Sequence, residues 1–186
     1  MNKMEKYFSE KDSQAMSHLA KEAVELFVKT GARAELKEIP PALMKRLACF
    51  VTLDCKENLR GCIGTIEPVG TLYESIIDNA IAAASRDYRF SPVVESELPG
   101  ITYEVSVLSE PAPFKPADTE SLLSEIKGKG LIIRKDLRGA VYLPQVWEHF
   151  TDSRDFLSSL CRKAGLAPNE WKDYRGMNFF VFTLLH

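Results

Sequence analysis

No stretch of this 186-residue chain approaches the roughly 20 consecutive apolar residues that a bilayer-spanning helix needs. Neither sign of charge dominates. Lys plus Arg number 24 against 26 Asp plus Glu, and the net charge of −2 gives no support to nucleic-acid binding driven by bulk positive charge. The opening segment Met1–Gln14 is polar and mixed in charge and lacks the apolar centre of an export signal. Four cysteines are too few for a disulfide scaffold, so reduced thiols in a cytoplasmic protein are expected. Cys49, Cys55 and Cys62 are spaced too widely for a CxxC knuckle, and no two of the three histidines stand at helical spacing, so no metal or other cofactor is expected. There is no Walker loop, no GxGxxG and no GxSxG, which removes the common nucleotide and hydrolase signatures.

What remains is an ordinary globular composition, 45% hydrophobic and 27% charged, with elements legible from periodicity. Residues 1–12 are read as a flexible N-terminus and 13–186 as a single domain. Ser13 is expected to cap a helix that runs to Thr30 with a stripe at Met16, Leu19, Ala20, Ala23, Val24, Phe27 and Val28, and Gly31 stops it. Strand signals at 49–53 and 59–66 flank a polar turn and predict a hairpin. Thr71 caps a second helix, 72–85, whose alanine run allows close packing on a sheet. Ile101–Leu108 alternates as a strand, and the three-proline segment 110–117 reads as a loop. A short capped helix over 118–126, a hairpin around Lys135–Gly139, a helix carrying Phe156, Leu157, Leu160 and Cys161, and a last strand from Asn178 complete the order. Helices mixed with hairpins, without repeating strand–helix units, predict an α+β fold with a largely antiparallel sheet.

The most chemically suggestive stretch is Leu59–Thr65, where Arg60, Gly61, Cys62 and Gly64 fall within five positions. Glycine in a strand marks a bulge or a close approach, and a nearby cation favours thiolate. Uninterrupted strand parity would put Arg60, Cys62 and Gly64 on one face. Cys62 could serve as a nucleophile with His149 as its base, and Gly61 and Gly64 could leave backbone N–H groups for an oxyanion. The simpler reading is a small thiol packing a hairpin. Arg60, Asp87 and Arg89 could hold a carboxylate or phosphate, or form a structural ion pair that ties the loop after the second helix to the hairpin. Phe90 is expected in the core, and Trp147, Phe150 and Phe156 are read as core in preference to an exposed edge.

The segment Leu59–Thr65 (LRGCIGT) resembles the signature of the AMMECR domain family. So do Asp87–Pro92 after the alanine-rich helix, Val105–Leu108, Leu143–Val146 and Lys163–Leu166, in order along nearly the whole chain. The resemblance implies a mixed α/β fold in two unequal parts with a cleft lined by the signature. It also implies a likeness to protein A of the AmmeMemoRadiSam system, whose label groups the domain with a MEMO-type and a radical SAM protein, here the expected partners. The family carries no established activity. The expected role is an accessory or binding protein holding a small anionic group or a partner peptide at Arg60, Gly61, Gly64, Asp87 and Arg89. The alternative is a cysteine-dependent enzyme acting through Cys62.

Overall fold

The computed structural model describes residues 7–36 and 38–185. They form two compact units, one spanning 7–109 together with Leu185 and the other spanning Glu110–Leu184. The first unit holds α1 (Glu10–Thr30), β1 (Cys49–Cys55), β2 (Asn58–Gly64), α2 (Leu72–Ser85) and β3 (Ile101–Val107). Its strands form an antiparallel sheet in the order β2-β1-β3. On β1 the alternation is plain: Cys49, Val51 and Leu53 are sealed among the residues of α1 and α2, whereas Phe50, Thr52 and Asp54 face the other way. The narrow alanine segment of α2 lets the helix lie close across β1 and β2, and α1 lies beside β3.

Helix α1 starts four residues earlier than the sequence suggests. Ser9, not Ser13, is its cap: the Ser9 Oγ accepts from Asp12 N–H at 3.1 Å, and Asp12 Oδ2 accepts from Ser9 N–H at 3.0 Å. This reciprocal pair satisfies two backbone donors that would otherwise be orphaned. Phe8, just before the cap, is 2% exposed and belongs to the core. Residues 8–12, expected in the N-terminal lead-in, thus belong to the core and the first turn of α1, and residues 1–6 lie outside the described residues.

The β1–β2 hairpin departs from simple parity. Leu53 pairs with Gly61, but Asp54 pairs with Leu59, so Arg60 is the extra residue of a bulge. Lys56 and Glu57, with φ of 51° and 65°, make the connecting turn. Two successive positive φ values match the right-handed twist of the flanking strands.

The second unit comprises β4 (Ala112–Phe114), α3 (Thr119–Glu125), β5 (Gly130–Lys135), β6 (Arg138–Tyr142), α4 (Ser153–Lys163) and β7 (Asn178–Phe182). The sheet order is β4-β7-β5-β6, again antiparallel. The expected 110–117 loop contains β4; proline is tolerated there because β4 is an edge strand that pairs only with β7. Asp152 caps α4 by accepting from Arg154 N–H at 2.7 Å. Phe156 is fully buried in this unit's core, with Trp147 stacked on it at 3.9 Å between ring centroids, and Phe150 packs edge-on. The fold is α+β, with both sheets antiparallel.

Candidate functional site

The loop that follows α2 runs from Arg86 to Pro92 along β2, which is the edge strand of the first sheet. Asp87 holds it there. Its carboxylate, on a residue 4% exposed, accepts from Cys62 N–H at 2.9 Å, Arg89 N–H at 3.2 Å, Arg89 Nε at 2.9 Å and Arg89 Nη2 at 2.6 Å. Arg89 Nη2 also donates to Cys62 O at 3.3 Å. Both edge-facing backbone groups of Cys62 are thus taken by one carboxylate–guanidinium pair. The pair stands where a fourth strand would pair and closes the edge. Arg89 above all, and then the backbone donors, hold the Asp87 carboxyl down at about 2 against the cost of its burial.

Cys62 is half-buried and opposes Thr52, whose hydroxyl donates to the Cys62 Sγ at 3.4 Å. Burial pushes the Cys62 thiol upward. The Thr52 hydrogen bond and Arg89 pull the other way without reversing it. Burial thus disfavours the thiolate, and the guanidinium acting on the thiol is that of Arg89 and not of Arg60. His149, the expected base, lies in the second unit at the exposed end of the turn Pro144–His149. His18 is exposed on α1. Cys62 is expected to alkylate more slowly than the same cysteine in the urea-unfolded chain, its rate still climbing beyond the ordinary thiol range. Peptide mapping by mass spectrometry after timed iodoacetamide pulses checks this, and fast labelling at neutral pH would restore a nucleophile.

The bulge sends Arg60 elsewhere. Its guanidinium is bound by Glu97 through Nε to Oε1 at 2.7 Å and Nη2 to Oε2 at 3.0 Å, a two-point pairing that fixes orientation. Glu97 also accepts from Val94 N–H at 2.9 Å. The Arg60 Nη1 is buried and has no hydrogen-bond partner among the described residues. Of the two arginines, Asp87 orients Arg89 and ties the loop to the hairpin through Cys62, while Arg60 pairs separately with Glu97. Phe90 is not a core residue. It is half-buried, with the Arg89 guanidinium 5.4 Å and the Arg60 guanidinium 6.0 Å from its ring centroid.

The glycines have a packing reason. A Cβ on Gly61 would stand 2.3 Å from Ala83 O of α2, and one on Gly64 would stand 2.3 Å from Phe50 Cγ and 2.5 Å from Cys49 O. Sequence reasoning missed Thr52 and Glu97. Thr52 was legible only as the partner of Cys62 across the hairpin, and Glu97 carried only the weak signal of an acid three residues after Val94. Among the described residues, no group of three or more His, Cys, Asp or Glu could hold a metal ion, and no helix is long and apolar enough to cross a membrane.

The family model described as AMMECR1 matches residues 17–184. The chain belongs to the AMMECR1 family. A protein of Methanothermobacter thermautotrophicus is 39% identical over 89% of this chain and 88% of its own length. One from Thermococcus onnurineus is 41% identical over 83% of this chain and 80% of its own. The crystal structure of an uncharacterised protein from Pyrococcus horikoshii superposes with a TM-score of 0.89 at 35% identity, covering 96% of this chain and 91% of that one. These AMMECR1-family relatives bring no activity with them, so any function must be argued from the site.

Proposed function

We propose that this AMMECR1-family protein is a binding protein that engages a partner's peptide along the Arg86–Pro92 loop. The observation that carries the reading is Tyr88. This residue is 95% exposed on a loop whose neighbouring residues Asp87 and Arg89 are tied to β2 by the hydrogen bonds above. A rigid loop presenting a whole aromatic ring has no folding reason to do so, and Tyr and Arg are the residues in which binding energy concentrates. Phe90 beneath its two guanidiniums and exposed Leu59 and Val94 extend the apolar surface.

The partner's chemistry follows from what is left unsatisfied. Arg60 and Arg89 are each already matched by a carboxylate, which disfavours a doubly charged anion. The half-exposed Arg89 guanidinium keeps its Nη1 without a hydrogen bond among the described residues, enough for one carboxylate oxygen, whereas the unpartnered Arg60 Nη1 is buried. An apolar peptide with an acidic residue fits this pattern better than a free phosphate. The cysteine-enzyme alternative is weakened by the burial that disfavours the Cys62 thiolate. The reading places the protein in the cytoplasm, which suits four unpaired thiols, and it makes MEMO-type and radical SAM proteins the first partners to try.

Tyr88→Ala is expected to leave stability within about 0.5 kcal/mol, as for an exposed surface position, while weakening capture of such a partner by roughly tenfold or more. Melting curves and a binding titration measure the two. A variant that binds every partner of the native protein with unchanged affinity would sink the proposal.

A further inference from the structure

A second place with ligand-like chemistry lies wholly within the second unit and does not depend on the reading above. Where β4 ends and the turn Tyr174–Gly176 leads into β7, the chain lines a half-open cavity of about 320 Å³. That is the lower end of the size range of small-molecule sites. Phe114, Tyr174 and Phe180 supply aromatic walls, with prolines and Met177 between them. Lys115, Arg175 and Asn178 supply the polar groups, and the lining contains neither Asp nor Glu. In a chain with more acids than bases, a lining with two cations and no carboxylate is not the background pattern.

The cations are poised and not spent. Neither Lys115 nor Arg175 makes an ion pair among the described residues. The Arg175 guanidinium stands 5.6 Å from the Tyr174 ring centroid, and the Tyr174 hydroxyl reaches Ala117 O at 3.4 Å, which ties the two sides of the cavity together. A further guanidinium, Arg134 of β5, stands 5.3 Å from the Phe180 ring. Rings held in place offer flat faces for stacking, and cations with no internal partner favour an anion. The walls and the charges therefore ask for different parts of one molecule.

We infer that this cavity binds a small planar organic anion, a flat ring carrying one phosphate or carboxylate, with the ring against Tyr174 and Phe180 and the anionic group between Lys115 and Arg175. Asn178 is placed to read a polar edge of the ring. The cavity's size limits the ligand to about the dimensions of a mononucleotide.

The test uses the full chain and three probes: adenosine 5′-monophosphate, indole-3-acetate and, as a neutral control, adenosine. Binding is followed by chemical-shift changes in amide NMR spectra. The expected result is submillimolar binding of at least one anion, with shifts confined to the residues around Lys115 and Tyr174 and adenosine at least tenfold weaker. Phosphate and carboxylate are distinguished by which anion binds. Lys115→Ala combined with Arg175→Ala should weaken that anion by at least tenfold. Both positions are exposed, and unchanged melting confirms the fold. Lys115→Gln, expected to weaken binding severalfold, serves if the double variant melts early. No saturable binding of either anion, equal binding of adenosine, or full binding by the variants would overturn the inference.

Discussion

Asp87→Ala is expected to cost the first unit about 2–4 kcal/mol at neutral pH, read as a lower urea midpoint in far-UV circular dichroism. The substitution removes a buried carboxylate together with the four hydrogen bonds it accepts and leaves Cys62 N–H without its acceptor. The upper part of the usual range for breaking a buried pair is not reached, because Arg89 is 42% exposed and water takes over part of its solvation. The pH dependence has a definite sign. The Asp87 carboxyl is lowered from 3.8 to about 2 on folding. Its contribution is therefore fully present above the unfolded value and is lost as the pH falls through that interval. The shift corresponds to roughly 2–3 kcal/mol. Asp87→Asn should remove this charge-dependent part and flatten the loss of stability between about pH 4 and pH 2 relative to the native chain. Parallel acid limbs for the two proteins would show that Asp87 is not the group responsible.

Gly61→Ala and Gly64→Ala are each expected to destabilise by about 3 kcal/mol or more, or to prevent folding of the first unit. The atoms a new Cβ would meet are mostly backbone: the Ala83 carbonyl for Gly61, the Cys49 carbonyl and Phe50 Cα for Gly64. A side chain could rotate away, but a helix carbonyl moves only with its helix. Gly100→Ala is the matched control, since its Cβ would meet only the Cys55 Sγ at 3.6 Å, an ordinary contact. Urea titrations of the three variants should rank Gly100 far above the other two. If Gly61→Ala and Gly64→Ala were as stable as the control while partner binding was lost, these glycines would belong to recognition and not to packing.

These expectations rest on features of unequal legibility. The stripe Met16–Val24 and the Thr71 cap are local patterns; α2 starts at the expected cap and α1 ends at the expected Gly31, although it begins four residues early. Tertiary offsets left no such trace. The bulge at Arg60 depends on how β2 registers against β1, which no count along one strand reveals. It breaks the parity that would have put Arg60 on the face of Cys62, and Arg60 pairs instead with Glu97 across 37 positions of sequence. Of the proposed polar trio, Asp87 and Arg89 did come together, because they are two residues apart and the loop need only curl to join them. Cys62 and His149 were paired by chemical type alone, and they belong to different units. The β4 strand was hidden by Pro113, which forbids a central strand but not an edge. The Ser9 cap is hard to read locally, because a single apolar residue, Phe8, stands among polar neighbours.

The placement of the aromatic residues also divides the molecule spectroscopically. Both tryptophans, Trp147 stacked on Phe156 and Trp171 donating to Ser158 Oγ at 3.0 Å, sit in the second unit. The longest helices, α1 and α2 with 21 and 14 residues, sit in the first. Intrinsic tryptophan emission is therefore a voice of one half only, while helical ellipticity speaks mainly for the other. A single unlabelled sample, followed by both signals through one denaturant ramp, discloses whether the halves surrender their structure in concert or in succession.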